Sequence, residues 1–260
     1  MKKKLFELLT SDSSVTEGKQ HLLLVWILFT GLIVFGLAIS WEEGLLYLLY
    51  STDQSRICYA ITVLYSIVTI HCAKRFYFLS GQIDISKEVE NIVKENSSNG
   101  LSIENENVQY AGGKFLPKCF MTDYIHDLLH KVNNNDKVLE DPSNTETELI
   151  QVYASRMKGP HEMGWFASDL MIKLGLLGTI IGFVLMMSSV GDIKEFDITA
   201  VQRILQKMSV GMGTALYTTL AGLVFNMLTT AQYYTLDRKI DELIETTRHL
   251  TEIYVIPKIK

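Results

Sequence analysis

The sequence predicts an all-α membrane protein: four transmembrane helices, with a helical cytoplasmic segment between the second and the third. Three features of the chain point there. Apolar stretches recur at residues 21–40, 57–73, 166–190 and 209–232. A long polar stretch, residues 74–165, separates the second from the third. Finally, the last two apolar stretches carry stripes of small and hydroxyl residues and no carboxylate in their uncharged cores. The chain has 260 residues, 48% hydrophobic, a share a soluble protein could also have, so the class follows from the clustering.

The first span, uncharged from Leu22 to Ile39, follows a mostly polar segment holding Lys2, Lys3, Lys4 and Lys19. It begins late and lacks a small-x-small cleavage pattern near Ser40, so it reads as an anchor that stays, not as a signal peptide. The LFELL piece ahead of it reads as an amphipathic surface segment. Residues 41–56 form an outer loop, with Trp41, Tyr47 and Tyr50 as interfacial belt residues. The second span, 57–73, is followed at once by Lys74 and Arg75. By the positive-inside rule the N-terminal segment 1–20 and residues 74–165 are cytoplasmic. Four spans then put residues 233–260 on the same side and the 191–208 loop outside.

Within 74–165, Ile83, Ile85, Val89, Ile92 and Val93 predict a helix that ends at Ser97-Ser98-Asn99-Gly100. FMTDYIHDLLHKV predicts another, with Phe120, Tyr124, Leu128 and Val132 on one side. Thr145 and Glu148 have capping-box spacing and place the next helix start near Glu146. Gly159-Pro160 is expected to bend or interrupt that helix before Trp165. DITAVQRILQKM reads as a short amphipathic outer helix. After Tyr234, an apolar face of Leu236, Ile240, Leu243, Ile244, Thr247, Leu250 and Ile253 continues the fourth span into the cytoplasm.

The third span is uncharged from Leu174 to Val190, about 26 Å of helix and just enough for a bilayer core. Gly175, Gly178 and Gly182 share one face, and Gly178-x-x-x-Gly182 is a small-residue pair that admits a second backbone. On the fourth span Gly211, Ala215, Thr218 and Gly222 make a matching smooth strip, with Thr219, Asn226 and Thr229 beside it. Asn226 needs a partner or water, because an unpaired amide in hydrocarbon costs several kcal/mol.

Other features carry less. A net charge of −5 argues against nucleic acid. Cys58, Cys72 and Cys119 have neither metal nor disulfide spacing and read as apolar filler. His126 and His130 have zinc spacing without an evident third ligand, so the expected metal content is none. His71 is expected to snorkel to the interface, and Asp169 to pair with Lys173. With no nucleophile–base set, Walker loop or dinucleotide fingerprint, neither an enzyme nor a cofactor is expected.

LGLLGTIIGF followed by GTALYTTLAGLVFN resembles the two pore-lining helices of the MotA/TolQ/ExbB proton channel family. The resemblance implies a ring-forming homopentamer in the bacterial inner membrane around two copies of a MotB/ExbD/TolR-like single-span partner that brings a membrane Asp. It implies transported H+ or Na+, coupled to rotation or other mechanical work. Thr179 and Thr219 match the family's pore-facing hydroxyls, and Tyr217, Thr218 and Asn226 are adjacent polar positions. Four spans resemble the MotA plan, while the pore spans lack the prolines of flagellar MotA. A TolQ/ExbB-like energiser of an outer-membrane system and a non-conducting membrane scaffold stay open as alternatives.

Overall fold

The computed structural model describes residues 18–95, 102–104, 107–110, 114–134, 142–191 and 198–256. Lys2, Lys3, Lys4 and LFELL, residues 192–197 and the turns around residues 98, 112 and 136 lie outside them. The elements are α1 (Gly18–Glu42), α2 (Leu45–Thr52), α3 (Ile57–Glu95), β1 (Ser102–Glu104), β2 (Asn107–Tyr110), β3 (Lys114–Phe115), α4 (Phe120–Asn134), α5 (Pro142–Gly191) and α6 (Ile198–Leu250). Helix dominates, as the periodicity predicts.

The small sheet is unforeseen. Its order is β1-β2-β3, both pairings antiparallel, with Ile103 opposite Val108 and Tyr110 opposite Lys114. The strands are two to four residues long. That is too short for a period-two pattern to show against the surrounding turns.

The chain falls into two units. Unit 1 comprises Met1–Ile27, Phe76–Lys158 and Arg238–Lys260. Its core gathers Val89, Val93, Val108, Leu116, Cys119, Met121, Ile125, Leu129, Leu250 and Val255. The apolar side of α4 is buried at Phe120, Tyr124 and Leu128. The Tyr153 hydroxyl donates to Asp127 Oδ2 at 2.5 Å. At the end of α6 the chain enters a π-turn, Thr251–Val255. Its wider winding shifts the phase, so Val255 is buried and Ile253, expected on the apolar face, is exposed.

Unit 2 comprises Leu28–Arg75 and Gly159–Asp237. Its polarity is inverted relative to a water-soluble body. Leu28, Leu32, Phe35, Val63, Ile67, Ile180, Phe183, Leu216 and Met227 stand exposed. The hydroxyls of Thr214, Thr218 and Thr229 lie inside. An apolar exterior of this extent suits lipid and not water. Among the described residues, three helices are long and apolar enough to cross a membrane. The number rises to four when α1 and α2, bent by 74°, count as one span. The corner is Gly44 at φ +73°, a left-handed conformation that glycine adopts without a Cβ penalty.

Three helices run longer than expected. α3 continues unbroken from the second span through Val93, and α6, from Ile198, absorbs the outer helix expected from DITAVQRILQKM, residues 197–208. α5 starts at Pro142, a favoured residue for a first helical turn, and continues through Gly159-Pro160. The expected interruption is absent. Pro160 lies on the exposed face, where the carbonyl it frees is open to solvation.

Candidate functional site: the seam between α5 and α6

The small residues of α5 and α6 meet along one line in unit 2. A Cβ on Gly182 would stand 2.6 Å from the Gly211 carbonyl oxygen and 2.6 Å from the Ala215 nitrogen. One on Gly211 would stand 2.8 Å from the Gly182 oxygen, and one on Gly222 2.7 Å from the Met171 oxygen. Gly178 faces the Thr218 side chain and Gly175 the Thr218 carbonyl. Backbones this close leave no room for side chains, so the stripes are the reason these helices touch along their length.

The hydroxyls divide into two groups. Thr218 is fully buried and donates to carbonyls of its own helix, Thr214 at 2.8 Å or Ala215 at 3.1 Å. Thr229 does the same to Phe225 at 2.9 Å. Such back-bonding is the ordinary fate of a Thr in a membrane helix. Thr219 differs: its Oγ1 lies 3.3 Å from the Gly175 carbonyl across the seam as well as 3.1 Å from the Ala215 carbonyl of its own helix. Thr179 donates to Leu176 at 2.6 Å and opens onto a groove of about 510 Å³. Ile180, Phe183, Val184, Met186, Met212 and Ala215 line the rest of it. Tyr217 is half-buried.

Asn226 finds its partner within the protomer. Nδ2 lies 2.8 Å from the Ser168 carbonyl and 2.7 Å from its hydroxyl, and that hydroxyl sits 2.9 Å from Thr230. Ser168 and Thr230 were not singled out in the sequence. One hydroxyl at the start of a span, ten residues ahead of the glycine pair, carries no spacing signal.

The Thr214 end of α6 is also tied. Thr214 Oγ1 donates to the Thr52 carbonyl at 2.9 Å and accepts from the Gln54 N–H at 3.4 Å. Asp53, 4% exposed, caps the start of α3: Oδ2 accepts the Cys58 N–H at 2.8 Å, and Oδ1 accepts the Ser55 N–H at 2.9 Å and its hydroxyl at 2.6 Å.

The remaining candidates settle as follows. Asp169 pairs with Lys173 at 2.5 Å, both exposed. His126 lies 3.1 Å from Asp127 and stacks on His130 at 6.2 Å between ring centres. Among the described residues, no three or more His, Cys, Asp or Glu converge on a metal-sized site. The three cysteines are free and buried. His71 does not snorkel: its Nδ1 lies 2.9 Å from the Tyr233 hydroxyl. A partner buried between helices outcompetes the interface for that imidazole.

An apolar exterior, up to four crossings and two long helices seamed on glycine define a multi-pass helical membrane protein. Residues 125–249, which include the whole seam, match the model of the MotA/TolQ/ExbB proton channel family. No curated protein and no solved structure matches the chain.

Proposed function

We propose that this chain is an ion-channel subunit of an inner-membrane motor. Copies of it surround a single-span, Asp-bearing partner of the MotB/ExbD/TolR kind and convert proton or sodium motive force into rotation or other mechanical work. The N- and C-terminal segments face the cytoplasm, as the basic residues around the first two spans favour. The ring has five copies, as the family resemblance implies.

The observation that carries this reading is the position of Thr219. Its hydroxyl lies at the seam, beside the Gly175 carbonyl, in a span uncharged from Met208 to Leu236. Together with Thr179 on the facing helix it offers oxygen ligands to water or a cation. A hydroxyl cannot take up and release a proton near neutral pH. The titrating carboxylate therefore comes from the partner helix. One charge crossing ~150 mV releases about 3.5 kcal/mol, enough to bias a step of the ring against its core. Thr218 and Asn226, held inside the protomer, keep the helices together; Tyr217 stands next to the path.

Cysteine accessibility tests the reading. Thr179→Cys and Thr219→Cys, in membranes that also contain the partner, should react with a small charged thiol reagent. Ile67→Cys, on the lipid-suited exterior of α3, should not. The native cysteines are buried and contribute little background. Labelling of Ile67→Cys alone, with both threonine positions inert, would contradict a watery path at these residues.

A further inference from the structure

Unit 2 holds a second polar cluster, away from the small-residue seam. Tyr65 and Thr69 lie one turn apart on α3, and the Tyr65 hydroxyl faces both Thr69 and Gln232 of α6. Gln232 is 2% exposed, yet neither its Nε2 nor its Oε1 makes a well-formed hydrogen bond, and neither does Thr69 Oγ1; both share only the Tyr65 hydroxyl. An unpaired amide in such surroundings costs several kcal/mol. Polar groups that face one another without bonding are the setting a bridging water satisfies, given two to four partners.

The next residue along α6 extends the cluster. Tyr233, 1% exposed, meets His71 Nδ1 through its hydroxyl at 2.9 Å. Its ring packs on His161 of α5 at 6.1 Å and against Gly164, where any Cβ would collide with it. His161 is 2% exposed, and its Nδ1 lies 2.6 Å from Asp237 Oδ1. Trp165 Nε1 donates to Asp237 Oδ2 at 2.9 Å. An indole N–H can only donate, so Asp237 accepts from it, and a carboxylate in that position also accepts the His161 Nδ1–H. The proton on Nδ1 is thereby fixed, and Nε2 is the nitrogen that can gain or lose one. His161 faces Asp237 and Tyr233 from α6 and His71 and Arg75 from α3. Burial pulls its imidazole below the ordinary range, Asp237 pulls it back up, and Arg75 and His71 push it down again. Asp237 is one-quarter exposed, so the cluster reaches solvent at one end.

We propose that unit 2 contains a proton-accepting site apart from the hydroxyl strip, in which a water held by Gln232, Tyr65 and Thr69 and the Tyr233–His71 pair lead to His161, and His161 takes up a proton at Nε2. In the empty state the pair is a neutral imidazole beside a carboxylate. A proton arriving from water forms the Nε2–H bond and leaves an imidazolium–carboxylate pair, and its return to water breaks that same bond. The site stands whether or not Thr179 and Thr219 border an ion path.

Trp165 is a built-in reporter, because an imidazolium beside an indole quenches its emission. The test uses the full chain in detergent without any partner, carrying Trp26→Phe and Trp41→Phe so that Trp165 is the remaining tryptophan. Emission should fall in a single step on acidification, centred below the ordinary histidine value of about 6.5. His161→Gln should abolish the step and His71→Gln should keep it. Asp237→Asn, which keeps the shape of the pair, should move the midpoint to lower pH. Loss of the step in His71→Gln with retention in His161→Gln overturns the assignment, as does an unmoved midpoint in Asp237→Asn. Gln232→Leu removes the hydrated limb and should slow relaxation after a pH jump by about tenfold, equivalent to a barrier higher by about 1.4 kcal/mol. Unchanged relaxation overturns the route through Gln232.

Discussion

Gly182 and Gly211 face each other across the α5–α6 seam so closely that a methyl on the first would stand 2.6 Å from the carbonyl oxygen of the second. Neither backbone can yield without opening the seam. Gly182→Ala is expected to destabilise the protein by about 1–3 kcal/mol, the usual cost of overpacking. Gly31→Ala, which has nothing within 4 Å of the added methyl, should be neutral. Melting temperatures in one detergent check both, and equal melting of the two variants would contradict the seam.

Asn226 and Ser168 form a second tie between the same helices. Polar pairs in membrane helices measure on average about 0.6 kcal/mol, with a maximum near 1.7. Asn226→Leu should therefore cost little and leave Ser168 bonded to Thr230. Ser168→Ala should cost more, because it strips the amide of one buried partner. A double-mutant cycle on unfolding free energy should return a coupling within that range. Zero coupling would mean that the bond is not formed in the membrane.

Asp53 accepts three hydrogen bonds at the entrance to α3. Asp53→Ala should cost about 1–2 kcal/mol, as loss of a helix cap does, and Asp53→Asn less, since its amide oxygen still accepts. Hydrogen exchange at the first turn of α3 checks this, with faster exchange expected in the alanine variant alone.

Acid should weaken unit 2 through His161. Burial, the largest influence on its imidazole, favours the neutral form in the folded state. Below the ordinary histidine range the unfolded chain then binds more protons than the folded one, so stability falls as pH drops through that window. The fall should be smaller in His161→Gln than in the parent, measured by melting at about pH 7.5 and about pH 5.5. Identical slopes would assign the pH dependence to other groups.

Much of the helical plan was legible because membrane helices announce themselves by long uncharged apolar runs, and because Gly178-x-x-x-Gly182 has a known packing meaning. The α4 helix was legible from its apolar face at Phe120, Tyr124 and Leu128. What escaped was decided by tertiary contact. The strands are too short to show a period. Pro160 is tolerated since its missing bond falls on an exposed face. The π-turn at Thr251–Val255 rotates Ile253 outward, which a fixed period of 3.6 cannot foresee. In the site, Thr179 and Thr219 stood out by resemblance, and Asn226 by the cost of burying an amide. Ser168, Thr214 and the His161–Asp237 pair gave no signal, because each gains its meaning from a residue far away in sequence.

The central claim is that the Thr219 hydroxyl serves an ion path whose acid is supplied by another polypeptide. Ion flux into vesicles holding this chain and its single-span partner tests it most directly, with Thr219→Val compared against Thr219→Ser in rings of equal assembly. The account predicts a loss of about tenfold for the valine variant, as for one lost hydroxyl contact, and near-normal flux for serine. Equal flux in both variants, or flux undiminished when the partner's membrane Asp is neutralised, would contradict it.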